Sequence, residues 1–283
     1  YLPHSQAFPL QYVIDGKVCK GSSCAKCVEA CKYDAIHLNM KPETIRVKVG
    51  AIVTATGWNP YDANKMDNLG FGKVQNVITN MMMERIAAPN GPTAGKIVRP
   101  SDGKEAKNIA FVQCAGSRDE NHLPFCSYIC CLASLKQATY VREQYGDSKV
   151  KIFYIDIRTP GLYENRFYAK LQQDANVSFL KGKVAKIEQG ENGDVKVTAE
   201  DIHGGGKVTE TFDLVVLATG MEPTAQSLAG AGIKSTWDGF VDQAALPKGV
   251  YAAGTVKAPV DVARTAQDAT AAVMKSIQSL RRN

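Results

Sequence analysis

Eight cysteines in two groups of four constrain this 283-residue chain more than any other feature. The first group is Cys19, Cys24, Cys27 and Cys31, and the second is Cys114, Cys126, Cys130 and Cys131. In a small secreted domain such counts would imply disulfides. Here the chain is large, its start shows no charged segment leading into an apolar one with a cleavage site, and its patterning is α/β. Those features favour a reducing compartment and metal ligation. Tyr1 opens a proline-containing extended segment without a methionine, which suggests a truncated chain.

The first group is spaced C-x4-C-x2-C-x3-C and runs on into Lys32-Tyr33-Asp34-Ala35-Ile36. Such spacing lets a tight loop aim several thiolates at one cluster. The run resembles a bacterial ferredoxin, with a longer first gap and Lys32 where proline usually stands. Four thiolates also suit tetrahedral zinc, but zinc ribbons more often separate their ligands into two pairs, so iron–sulfur is favoured. The second group is C-x11-C-x3-C-C. Cys114 is expected at a strand end and the other three on the next helix, where Cys126 and Cys130 share a face and Cys131 lies about 100° round. Buried structural cysteine is the plain alternative. Adjacent cysteines near a helix start again favour a cluster.

The rest of the chain alternates strand and helix patterns. Ala51–Gly57 is an apolar run of the kind that forms a strand buried on both faces, and Thr44–Val49 alternates like a half-buried one. Residues 58 to 107, with four prolines and one helical stretch at 77–87, read as a connection. Asn108–Gln113, Phe125–Tyr145 and Val150–Ile157 make a strand–helix–strand unit. Val177–Ile187 and Val195–Ala199 continue a sheet, and Gly204-Gly205-Gly206 suits a hairpin turn. Asp213–Gly220 is a second buried strand, Gly249–Gly254 a short third, and a helix spans 262 to 280.

The turn after Asn108–Gln113 carries a single glycine, Gly116. A dinucleotide-binding turn would be glycine-rich, so that backbone amides could approach a pyrophosphate. The domain is therefore expected to keep the nicotinamide-binding fold and to use one-electron transfer in place of hydride chemistry. Two Ala-Thr-Gly strand ends, with Thr56, Gly57, Thr219 and Gly220, and the segment Tyr251–Thr255 resemble crossover and flavin-facing segments of two-dinucleotide-domain reductases. Each is also explained by glycine in a tight turn. An acidic residue usually follows the last glycine; Thr255 stands there, with Asp261 close by.

The net charge of +6 is spread along the chain, so nothing points to nucleic acid or to a membrane surface. The longest nearly uncharged stretch, 214–233, is broken by Glu222, Pro223 and glycines, so no segment is expected to span a membrane.

The run Asn108–Asn121, continuing to Cys126, Cys130 and Cys131, resembles the family of heterodisulfide reductase A subunits. The tracts Tyr1–Pro9 and Arg99–Lys107 look more like one branch of it, the A subunits of quinone-interacting membrane-bound oxidoreductases. That resemblance implies an electron-transfer subunit with FAD and [4Fe-4S], whose partners are further subunits of a membrane-associated redox complex. It implies a link between the menaquinone pool and adenylylsulfate reductase in sulfate reduction, and a cytoplasmic site held to the membrane by a partner subunit. Carried over by motif, Cys114, Cys126, Cys130 and Cys131 would ligate a cluster, and Gly254, Thr255 and the start of the last helix would face FAD. The family's strand followed by G-x-G-x-x-G has no counterpart here.

The expected fold is α/β: an incomplete FAD domain and a nicotinamide-domain-like unit of the two-dinucleotide-binding flavoprotein type, with a small ferredoxin-like module. The expected divisions are 1–48 for the cysteine module, 49–100 and 218–283 for parts of the FAD domain, and 101–217 for the cluster-bearing domain. Two rivals stand beside this function. A pyridine-nucleotide disulfide reductase would need a redox pair such as Cys24 and Cys27 near flavin, and a zinc-stapled interaction module would be colourless.

Overall fold

The computed structural model describes residues 14–39, 41 and 46–282. The chain divides into two units, Tyr1–Val49 and Gly50–Asn283. In the first, a single 3-10 turn at Gly21–Ser23 leads to the short helix α1 (Lys26–Ala30). No described residue of this unit is buried, so its described residues form no apolar core. The strand expected at 44–49 falls partly outside the described residues. Its described part, 46–49, forms no strand, and Val47 and Val49 are exposed. Apolar alternation without a partner strand does not make one.

The second unit has strands β1 (Ile52–Thr54), β2 (Trp58–Pro60), β3 (Val77–Thr79), β4 (Asn108–Ala115), β5 (Lys149–Tyr154) and β6 (Val177–Lys181). They continue with β7 (Val184–Gln189), β8 (Val195–Glu200), β9 (Lys207–Phe212), β10 (Leu214–Thr219), β11 (Met221–Pro223) and β12 (Val250–Ala252). Its helices are α2 (Asn80–Ala87), α3 (Cys130–Gln144), α4 (Lys170–Gln172) and α5 (Val262–Arg282), with a π-helical turn leading into α4.

A five-stranded parallel sheet, ordered β3-β10-β4-β5-β6, forms the centre. Every residue of β10 is buried, as a continuous Leu-Val-Val-Leu-Ala-Thr run between two neighbours should be. Alternation along β4 separates the two faces. Ile109 and Phe111 pack with α2 and α3, whereas Ala110 and Val112 pack with the antiparallel meander β7-β8-β9. Burying a side chain such as Phe111 contributes about 1.5–3 kcal/mol. Asp213 pins the register: its carboxylate accepts the Lys107 and Asn108 amides, both at 2.8 Å, where β4 begins. Two small sheets stand beside this core, parallel β1-β12 and antiparallel β2-β11, and α5 packs on the first.

The strand expected at 51–57 to be buried on both faces is the short β1, whose Ile52 and Val53 are exposed because among the described residues it pairs only with β12. Three further elements differ from the sequence expectation. The helix expected from Phe125 starts at Cys130, because 125–129 is drawn into loop hydrogen bonds. The stretch 77–87 is half strand: Val77-Ile78-Thr79 pairs with β10 before α2 begins, and Thr79 caps α2 by accepting the Met82 amide at 3.3 Å. The single element expected at 177–187 is two strands, β6 and β7, broken at Gly182. A Cβ at Gly182 would stand 1.7 Å from the Glu200 carbonyl oxygen, so only glycine fits.

Candidate metal centre

The second cysteine group gathers at the carboxyl edge of the parallel sheet, where folds of this class place ligands. Cys114 sits in β4 with φ 55°, and Gly116 (80°), Arg118 (56°) and Tyr128 (66°) also have positive φ, so the chain turns sharply and repeatedly around the cysteines. Cys126 is presented by this loop, one turn ahead of α3, and not by a helix face as its spacing suggested. Cys130 and Cys131 open α3 and are buried. The Cys130 thiol points to the Thr219 carbonyl at 3.7 Å, the Cys131 thiol to the Asp156 carbonyl at 3.6 Å, and the Tyr128 amide donates to Cys126 Sγ at 3.4 Å.

Several contacts hold the loop in place. Ser117 and Ser127 share a hydrogen bond at 2.7 Å, and Ser127 Oγ accepts the Met221 amide at 2.9 Å. Gly220 lies against them with no room for a side chain. The Leu123 amide donates to Gly116, and the Arg118 amide to Phe125. Asp119 pairs with Lys183 at 2.7 Å, and Tyr61 Oη shares a hydrogen bond with His122 Nδ1 at 2.9 Å. Arg118 pairs with Asp156 at 2.8 Å.

The thiols oppose one another's ionisation. Burial, then the neighbouring Cys131 and Cys126, pushes Cys114 up to about 11, against the pull of Arg118. Burial and the other three cysteines raise Cys130 further, and burial raises Cys131. Cys114, Cys130 and Cys131, each held protonated by burial and by neighbouring cysteines, call for a positive centre among them. Among the described residues, no three His, Cys, Asp or Glu side chains group tightly enough for a single metal ion. Zinc, about 2.3 Å from each sulfur, would draw the sulfurs to within roughly 4 Å of one another. The all-thiolate donor set fits the wider body of an iron–sulfur cluster.

In the first unit, Cys24 follows the 3-10 turn, Cys27 lies on α1 and Cys31 ends it. Amides already point at two of these sulfurs, Gly21 to Cys19 at 3.3 Å and Ala35 to Cys31 at 3.4 Å. The Ala35 and Tyr33 amides hold the Cys31 thiol below its ordinary pKa. In the metal-free protein at pH 8, iodoacetamide is therefore expected to label Cys31 well before Cys114 or Cys130. Peptide mass spectrometry over a time course checks that order.

The residues expected at the flavin fall into two places. Thr56 and Thr224 share a side-chain hydrogen bond at 2.9 Å, Thr224 also donates to the Gly57 carbonyl at 2.8 Å, and Thr255 lies next to Gly57. Gly254, with φ 74°, follows β12, and Asp261 caps α5 by accepting the Arg264 amide at 2.8 Å. The Gly254 amide already donates to Asp268 at 2.6 Å, and Asp268 pairs with Lys257. Thr219 and Gly220 instead join the cysteine loop. The Thr219 hydroxyl is buried against Asn80 Oδ1 at 3.0 Å, and its carbonyl faces Cys130. The segment 51–57 and the β12–α5 segment therefore lie together, apart from Thr219 and Gly220, and the sequence holds no glycine-rich strand-turn-helix of the dinucleotide-binding kind. Sequence reasoning did not find Ser117, Ser127, Tyr128, Asp156 or Asp268. Only Ser117, Ser127 and Tyr128 lay inside a recognised motif, and nothing in the sequence marked them.

No family model matches the chain. The A subunit of the ferredoxin/F(420)H(2)-dependent CoB-CoM heterodisulfide reductase of Methanosarcina acetivorans is 37% identical over 99% of this chain. The iron-sulfur A subunit of the CoB--CoM heterodisulfide reductase of Methanocaldococcus jannaschii is 37% identical over 96% of it. Over nearly its whole length the chain is thus similar to part of heterodisulfide reductase A subunits. It spans 36% and 43% of the lengths of these two relatives. Among solved structures, thioredoxin reductases of Lactococcus lactis (TM-score 0.52, 14% identity, 82% of this chain and 67% of that one) and T. acidophilum (0.50, 17%, 81% and 64%) share its fold. The fold is thus that of a two-dinucleotide-binding flavoprotein. No helix among the described residues is long and apolar enough to cross a membrane.

Proposed function

We propose that this chain is part of an electron-transferring oxidoreductase subunit of the kind its heterodisulfide reductase relatives represent. In it, Cys114, Cys126, Cys130 and Cys131 hold one [4Fe-4S] cluster, and Cys19, Cys24, Cys27 and Cys31 hold a second. The observation that carries this is the convergence of four cysteines at the carboxyl edge of a parallel sheet, three of them buried enough, and near enough to the others, to be held protonated. The exposure of every described residue of the first unit to some degree supports the second site, since so small a unit draws stability from what its cysteines bind.

When bound, a cluster of this kind accepts and returns one electron at a time. The chain's own residues set the conditions. Arg118 keeps a fixed positive charge beside Cys114 and so favours the more negative, reduced state. The Tyr128 amide directs a hydrogen bond at Cys126, and burial keeps water from Cys130. The turn after β4 argues against nicotinamide. A Cβ on Gly116 would stand 2.6 Å from the Tyr61 ring, so this glycine serves packing and not a pyrophosphate.

Thr56, Gly57, Gly254, Thr255 and Asp261 would line one side of an FAD site, while Thr219 and Gly220 act through the cysteine loop. FAD binding on this reading requires the missing glycine-rich element. The exposed Ile52 and Val53 of the two-stranded β1-β12 sheet are consistent with cover there, because parallel strands this short do not stand alone. The divisions 49–100, 101–217 and 218–283 belong to the same proposal.

The finer assignment is a quinone-interacting subunit that links menaquinone to adenylylsulfate reductase, cytoplasmic and held to the membrane by a partner. It rests on two tracts. Tyr1–Pro9 lies outside the described residues. In the other, Arg99 has a structural task, bonding Asp194 at 2.9 Å and the Asn192 carbonyl at 2.6 Å.

The deciding experiment is anaerobic iron, sulfide and flavin determination with electron paramagnetic resonance of the reduced protein. About four irons per cysteine group and a cluster signal are expected. Zinc without iron would overturn the proposal.

A further inference from the structure

Tyr128 is the least comfortable residue of the cysteine loop. A bulky aromatic at φ 66° costs on the order of 1–3 kcal/mol and persists only where its surroundings enforce it. The Ile129 amide donates to the Ser127 carbonyl at 2.7 Å, which closes a three-residue turn centred on Tyr128. With positive φ at its centre, such a turn is rare and strained. It reverses the chain between Cys126, which comes from the loop, and Cys130 and Cys131, which come from α3.

Ser127, on one side of this turn, is locked by Ser117 and Met221. The Tyr128 backbone holds Cys126 through its amide at 3.4 Å. The Tyr128 ring meets the guanidinium of Arg264, which lies 5.1 Å from the ring centroid. Arg264 belongs to the first turn of α5, where its own amide bonds the Asp261 carboxylate at 2.8 Å. One contact therefore joins the cysteine loop to the helix start that follows Gly254 and Thr255.

We infer that Tyr128 and Arg264 are a positioning pair: Arg264 pins the Tyr128 ring, the pinned turn fixes Cys126 for ligation, and the cysteine site is thereby tied to the first turn of α5. This rests on the proposal that Cys126 is a cluster ligand. Hydrogen bonds to cluster sulfurs set the reduction potential, so the Tyr128 amide is the route by which a side chain on α5 reaches it.

The test uses the anaerobically purified, cluster-loaded protein and the variants Arg264→Gln, Arg264→Lys, Tyr128→Phe, Tyr128→Leu and the Tyr128→Leu/Arg264→Gln double. Arg264 is exposed, so its replacement leaves folding intact, and circular dichroism verifies this. Arg264→Gln and Tyr128→Leu are expected to shift the midpoint potential, alter the paramagnetic resonance line shape and speed cluster loss to a chelator roughly two- to fivefold, the span of an exposed cation–π contact. Arg264→Lys and Tyr128→Phe keep the contact and behave as wild type. The double variant is no worse than either single, because both remove one interaction. An Arg264→Gln protein with unchanged potential, line shape and cluster loss overturns the pair while leaving the cluster in place. A wild-type protein without iron overturns the cluster proposal itself, and the pair with it.

Discussion

Cys130→Ser is expected to remove the whole cluster at the β4–α3 junction, about four irons per chain, while the fold survives. Cys130, 7% exposed like Cys131, carries the most strongly raised thiol of the group, so water and substitute donors have little access to it. Serine can still donate to the Thr219 carbonyl that the thiol now faces, so the cost to folding is about 1 kcal/mol. A hydroxyl at this buried position has no means of becoming the anion a cluster needs. Cys27→Ser should remove a separate set of irons from the first unit, and the double replacement both. Iron and sulfide assays with resonance spectra of the three proteins check this additivity. Equal iron in Cys130→Ser and wild type would show that the second group binds no cluster.

The same ionisation argument gives a pH dependence. In the metal-free protein Cys114 keeps its proton up to about 11, so loading a cluster must expel protons, and loading strengthens as pH rises from 7 to 9. The metal-free fold follows the opposite course. A thiol whose folded pKa is raised contributes stability that is full below its unfolded value, about 8.5, and is lost as pH climbs above it.

Much of this was legible in the sequence where a single local signal sufficed. Leu214–Thr219 announces a central strand because six consecutive buried residues need no partner to be recognised. The cysteines announce themselves by type. What failed was local pattern against tertiary demand. Val77-Ile78-Thr79 continues an apolar helical period into α2, yet its β-branched side chains fit the sheet edge beside β10, and that neighbour decided the matter. Phe125–Ile129 looks helical until the Arg118 amide claims the Phe125 carbonyl. The contacts that shape the site join the stretch between β4 and α3 to the end of β10 and the start of β11, 89 and 94 residues away, and to α5 beyond them, and no spacing rule reaches across such gaps.

Gly220→Ala shows what that hidden packing is worth. A Cβ at this position would stand 2.2 Å from Ser117 Oγ, 2.6 Å from Ser127 Oγ and 2.7 Å from Leu123 Cδ1. Its φ lies outside the left-handed region, so the cost is steric and not conformational. The serine hydroxyls could rotate away only by giving up the bond between them and the one from the Met221 amide, which together anchor the turn between Cys126 and Cys130. Overpacking and the broken bonds should cost about 3 kcal/mol, a fall in Tm of ~5–10 °C, and the displaced loop should release its cluster while the first unit keeps its own. Gly146→Ala is the control, since a Cβ there meets nothing within 4 Å and should change stability by less than about 0.5 kcal/mol. Calorimetry of both variants, with iron counted before and after, separates the alternatives. If Gly220→Ala melts with wild type and keeps all its iron, the serine pair is not what holds the cysteines together.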